Sequence, residues 1–211
     1  QNINFVIIHY TGMKNEKAAI KRLCDSKSKV SSHYFIKKNG KILNLVPDNF
    51  IAWHAGKSRW KKYNLLNKNS IGIEIQNPGH SYKYSNFSSK QIYSLKKLLK
   101  FLLKKYKILD KNVLGHSDIA PERKKDPGEK FPWKNLAKEG LCTWHTLSKQ
   151  DLKNIRKTRI SNQHQNIFFK NLYKIGYNPI RGQNFKINQK KLTMAFQRRY
   201  RQELVDGKVD K

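Results

Sequence analysis

The sequence predicts an α/β (α+β) fold: a central mixed β-sheet flanked by helices, followed by a small three-helix domain. Three observations carry this. Short apolar runs of strand length alternate with segments of helical period up to about residue 145. Asn39-Gly40, set between two apolar runs, marks a hairpin. Beyond about residue 147 only the helical period remains. The predicted domain boundaries are 1–145 and 146–211.

Residues 5–10, FVIIHY, form a continuous apolar run short enough for a buried strand, and Thr11-Gly12 ends it. His9 then stands near the mouth of that strand. Residues 15–24 read as a helix with Asn15 as N-cap and Ala19, Ile20, Leu23 and Cys24 on one face. Residues 32–46 read as the hairpin, closed by Pro47; its Tyr34 either reaches a cleft or packs across strands. Residues 51–56, IAWHAG, read as a loop exposing Trp53 and His54, and residues 57–69 as a long surface loop. In residues 71–76, IGIEIQ, Ile71, Ile73 and Ile75 point one way and Gly72, Glu74 and Gln76 the other. Residues 88–106 are the longest predicted helix. Ser88 and Gln91 make a capping box, and Ile92, Leu95, Leu99 and Leu102 make the apolar stripe. A short strand at 112–115 leads into a shaped loop, and residues 133–138 read as a short helix stopping at Gly140. In the tail, Ser148 caps one helix. Phe168, Leu172 and Ile175 share a face of a second, stopped by Gly176, and Leu192, Ala195, Phe196 and Tyr200 stripe a third.

The formal net charge is +31 over 211 residues, which favours an anionic partner. Lys greatly outnumbers Arg, and Asn and Ile are abundant, as an A/T-rich genome produces; the charge is therefore read first as solvated surface. No nucleic-acid reading motif accompanies it. No apolar run approaches the ~20 residues of a membrane helix. No signal peptide is visible ahead of the first strand, which leaves the compartment open. Cys24 and Cys142 lie outside any CxxC pair, which disfavours a structural zinc knuckle.

The chemistry concentrates in HSDIAPERKKDPG, residues 116–128. Pro121 and Pro127 forbid one regular helix there, so the segment is a loop shaped by turns. With His9, its His116 and Asp126 would make a three-ligand zinc set with a fourth position open to water, a catalytic arrangement. Spacing alone does not select them: His33, His54 and His80 compete as ligands, and Asp118 competes with Asp126. Glu74 is suited to be a general base if its face of the strand lines a cleft, because partial desolvation raises a carboxyl pKa. Trp53 offers a flat face to a sugar or peptide, and His54 a polar contact. HExxH, GxSxG and P-loop motifs are absent, which removes those enzyme classes.

VIIHYTG, SSHYFI, AWHAG, IGIEIQN and HSDIAPERKKDPG, in that order, resemble the zinc-dependent N-acetylmuramoyl-L-alanine amidases of the AmpD/AmiD type, the amidase-2 family, over roughly residues 3–140. The tail segments NLYKIGYNP and MAFQRRYRQELVDGKVD are similar to the small helical peptidoglycan-binding-like domain that follows the catalytic domain in AmiD-type enzymes. The resemblance implies the fold of peptidoglycan-recognition proteins and phage T7 lysozyme. It implies hydrolysis of the amide between N-acetylmuramic acid, or its 1,6-anhydro form, and L-Ala. It assigns Zn2+ to His9, His116 and Asp126, catalysis to Glu74 and Lys124, and the substrate cleft to Tyr34, Trp53 and His54. Glu122 stands where the motif commonly has Gly, from which a changed loop surface with the metal retained is expected. Expected partners are peptidoglycan or anhydro-muropeptides, with no nucleic acid, for a monomer with no transmembrane segment. The cell envelope or periplasm is favoured by the tail, the cytoplasm by a recycling role. The alternative is a non-catalytic peptidoglycan-recognition protein, disfavoured because all three ligands and Glu74 are present.

Overall fold

The structure is a computed structural model that describes residues 2–155, 160–180 and 184–210. Strand β1 (Phe5–Tyr10) is the first element, followed by α1 (Glu16–Cys24), whose N-cap Asn15 accepts from Ala18 N as expected. The hairpin β2 (Tyr34–Ile36) and β3 (Ile42–Asn44) turns at Asn39-Gly40, where Gly40 has φ +88°. Then come β4 (Arg59–Trp60), β5 (Tyr63–Asn64) and β6 (Ser70–Ile75). Helix α2 (Ser89–Tyr106) carries the predicted capping box of Ser88 and Gln91. β7 (Val113–Gly115) runs into one helical turn, α3 (His116–Ile119), and α4 (Trp133–Ala137) follows. The tail holds α5 (Lys149–Ile155), α6 (Asn162–Ile175) and α7 (Phe185–Tyr200).

The main sheet has the order β3-β2-β6-β1-β7. β2, β6, β1 and β7 pair in parallel, and β3 joins β2 antiparallel, so the sheet is mixed as predicted. Alternation along the strands divides the core into two layers. Val6, Ile8, Ile71, Ile73 and Ile75 pack with Leu95, Leu99 and Leu102 of α2. On the other face Phe5, Ile7 and Leu114 pack with Phe169, Leu172, Tyr177, Leu192 and Ala195 of the tail. Burying each such Ile or Phe stabilises by roughly 1.5–3 kcal/mol relative to exposure. β1, covered on both faces, therefore depends on both helical layers.

Three expectations are corrected. Residues 57–69 are not a surface loop. They fold as the β4–β5 pair and a 3₁₀ turn, and Trp60 and Leu66 are buried in the tail-side core. In α6 the inward residues are Phe169 and Leu172, and Ile175 is 43% exposed. Tyr34 lies on the α2 side of the sheet, with its hydroxyl donating to Asp48 Oδ1 at 2.7 Å, so it packs across strands and does not reach the cleft described below. Both cysteines are free thiols, Cys24 exposed and Cys142 buried.

Candidate metal centre and active-site cleft

The parallel strands β6, β1 and β7 end side by side, and their carboxyl ends deliver the polar residues, the usual place for a site in an open α/β sheet. His9 and Glu74 are register partners on neighbouring strands, and His116 directly follows β7. Backbone Ser117 N donates to Asp126 O at 2.8 Å, which folds the loop back and sets Asp126 beside His116. His9 Nδ1 and His116 Nδ1 lie 2.9 Å apart, and each is 3.0 Å from Asp126 Oδ2. All three side chains are buried.

Hydrogen-bond bookkeeping identifies what these atoms present. His116 Nε2 is 3.1 Å from the Ala55 carbonyl, which only accepts, so the proton sits on Nε2 and Nδ1 is a lone pair. His9 Nε2 is 3.1 Å from His54 Nδ1. Burial, and then the neighbouring His116, push His9 down to about 4, so its imidazole is neutral. Asp126 brings a carboxylate oxygen, which only accepts. Three lone pairs thus aim at one point. Their separations allow a single ion at the ~2.0–2.2 Å that zinc takes from nitrogen and carboxylate oxygen.

The competing ligands are drawn elsewhere. His33 accepts from Gly72 N and donates to Phe50 O, a satisfied core histidine. His80 bridges Tyr10 and Glu129 at the cleft rim. Asp118 accepts from Gly115 N, the Tyr177 hydroxyl and Arg199 Nη1. His54, expected as an exposed substrate contact, is among the residues lining the cleft described below but is buried against His9, with its Nε2 3.3 Å from Ser70 Oγ.

The centre opens into a cleft of about 420 Å³ lined by Glu74, Trp53, Lys124 and the basic Arg22, Arg123 and Lys125. Among the described residues Glu74 Oε2 is buried without a hydrogen-bond partner. Burial, and after it the Asp126 charge, push the Glu74 carboxyl well above its ordinary range, while Lys124 pulls the other way. Trp53 is 52% exposed, as its loop position predicted. Arg22 and Lys125 were read from the sequence only as solvated charge. Nothing in their spacing separates them from the other basic residues; the cleft does.

The sequence matches the N-acetylmuramoyl-L-alanine amidase family over residues 1–129. The chain belongs to this amidase family. AmiD of Escherichia coli, an N-acetylmuramoyl-L-alanine amidase, is 34% identical over 99% of this chain and 78% of its own length. The 1,6-anhydro-N-acetylmuramyl-L-alanine amidase AmpD of Haemophilus influenzae is 39% identical over 50% of this chain and 55% of its own length, so the likeness to it covers about half of the chain. Among solved structures, E. coli AmiD in complex with anhydro-N-acetylmuramic acid-L-Ala-D-gamma-Glu-L-Lys superposes with a TM-score of 0.87 at 32% identity, over 100% of this chain and 85% of that one. AmpDh3 of Pseudomonas aeruginosa in complex with an anhydromuramic pentapeptide gives 0.85 at 31% identity, over 100% and 88%. Sheet and tail together are therefore an amidase-family arrangement.

Proposed function

We propose that this amidase hydrolyses the amide between N-acetylmuramic acid, or its 1,6-anhydro form, and the L-Ala of the stem peptide, with zinc held by His9, His116 and Asp126. The observation that carries this is the convergence of three lone pairs at the floor of a cleft that also holds the unpartnered Glu74 carboxylate. Lewis acidity at such a centre, which lowers the pKa of water toward about 7 and polarises a carbonyl, is what zinc supplies when bound. Glu74 takes the proton of the attacking water and returns one to the departing amine of L-Ala, a task its raised pKa suits. Lys124, on the cleft wall, places a positive charge near the carbonyl oxygen as negative charge develops there. Trp53 gives the sugar or peptide a flat apolar face, and Arg22, Arg123 and Lys125 draw in the carboxylates of the stem peptide. The anhydro-muropeptides held by the two substrate-bound relatives support the same substrate class. Likeness to AmiD along the tail favours action at the cell envelope. No helix among the described residues is long and apolar enough to cross a membrane.

The test is mass spectrometry of products after zinc-loaded protein meets an anhydro-N-acetylmuramoyl peptide and an ordinary N-acetylmuramoyl peptide. Free peptide beginning with L-Ala is the expected product, lost with a chelator and restored by zinc. Substrate bound but left intact would establish the recognition-protein alternative instead.

A further inference from the structure

We propose that His54 is a positioning residue that fixes which nitrogen of His9 faces the metal. The inference rests on the zinc reading above and adds a role for a residue behind the ligand set. It follows from a chain of hydrogen bonds whose protons can be assigned one at a time. Ser70 Oγ lies 2.6 Å from the Leu66 carbonyl, which can only accept, so the single hydroxyl proton of Ser70 is committed there. The contact between Ser70 Oγ and His54 Nε2, 3.3 Å, must then use a proton on His54 Nε2. A neutral His54 protonated at Nε2 carries a lone pair on Nδ1. That lone pair faces His9 Nε2 at 3.1 Å, so His9 holds its proton on Nε2 and leaves Nδ1 bare toward His116 and Asp126.

The outer partner of a metal-bound histidine is usually a carboxylate, a backbone carbonyl or water, and it fixes tautomer and ring orientation. His116 follows that rule through the Ala55 carbonyl. His9 sits mid-sheet, where the neighbouring backbone groups are committed to strand pairing, and an imidazole takes the role instead. The fold makes room for the ring over Gly72. A Cβ added to Gly72 on β6 would come within 2.3 Å of His54 Cγ, so this strand position is glycine because the His54 ring lies on it.

The experiment compares wild type, His54→Phe, His54→Asn and Ser70→Ala. Zinc affinity is measured by competition with a chromogenic chelator, and the His9 tautomer by two-bond ¹⁵N–¹H correlation of the metal-free proteins. His54→Phe keeps the bulk over Gly72 but orphans the His9 Nε2 proton; it should weaken zinc binding about 10–100-fold and leave His9 a mixture of tautomers. His54→Asn returns an acceptor near the Nδ1 position and should recover most of the affinity. Ser70→Ala, the mildest change, should shift the His9 tautomer signal even if His54→Phe fails to fold. Wild-type zinc affinity in His54→Phe, or an unchanged His9 tautomer in both His54→Phe and Ser70→Ala, overturns the proposal. Wild type that binds no zinc would instead defeat the metal reading, while the tautomer spectra still decide the role of His54.

Discussion

Asp118 and Asp126 belong to the same segment, residues 116–128, and both are buried, but they face opposite ways. Asp118 faces the tail. Its two oxygens accept from Tyr177, Arg199 and Gly115, and its counter-ion is part of the chain. Asp126 faces the cleft, where it meets two imidazoles that each present a lone pair. The first group is a closed polar network and the second an open one. A closed network holds structure; three acceptors converging with no proton to share define a place for a cation. The contrast teaches that burial and charge alone do not mark a site. The balance of donors and acceptors does.

The largest effect expected from this contrast is on the open side. Asp126→Ala should abolish stoichiometric zinc binding and lower kcat/KM by about 10³-fold or more, since metal Lewis acidity is worth several kcal/mol of barrier; circular dichroism should remain that of the folded chain. Next, Glu74→Gln should keep zinc but lose about 10²–10⁴ in kcat, the usual contribution of a general base, read by steady-state kinetics beside metal analysis. On the closed side the damage should appear as stability. Arg199→Met strands a buried carboxylate and should cost about 3–5 kcal/mol in urea unfolding. The double change Arg199→Met with Asp118→Leu should cost less than the single one, and an equal or greater loss would mean that the pair is not the closed unit described.

A smaller effect separates catalysis from folding. Because the Glu74 pKa is raised in the folded chain, the folded state keeps a proton that the unfolded chain has released above about pH 4.3. Stability of the metal-free protein therefore falls as pH rises from there toward the folded pKa. Glu74→Gln removes that loss and should raise Tm at neutral pH by about 2–4 °C, what ~1 kcal/mol gives at this chain length. A Tm that drops would mean that Glu74 is held by contacts worth more than its desolvation costs. Smallest of all, Trp53→Ala should raise KM several-fold with kcat little changed, since an exposed face gives binding that is uniform between ground and transition states.

Much of the sheet was legible because its signals are local. The apolar run of β1, the Asn39-Gly40 turn and the stripe of α2 each fix one element without reference to any other. The grouping of His9, His116 and Asp126, proposed above as metal ligands, could be read only through the order of five motifs. Spacing could not choose among the histidines, because His9 and His116 become neighbours through strand pairing of β1 with β7. Local signals failed in three places. β4 and β5 are two residues each, too short to show a period, and Trp60 and Leu66 are scattered among lysines. His54 was read as exposed because its cover, Gly72, comes from another strand. Arg199 was read as one more surface cation, although the helix that carries it turns it inward to Asp118.

The tail seals one side of β1 and β7 with Phe169, Leu172 and Leu192, and it supplies the guanidinium that answers Asp118. A protein cut after α4 would lose part of the apolar cover over Phe5, Ile7 and Leu114 and leave a buried acid without its cation. The C-terminal helices are thus a foundation for the hydrolytic centre as well as a neighbour to it. Grafting the sheet onto another anchoring module would require a replacement for both the apolar cover and the arginine.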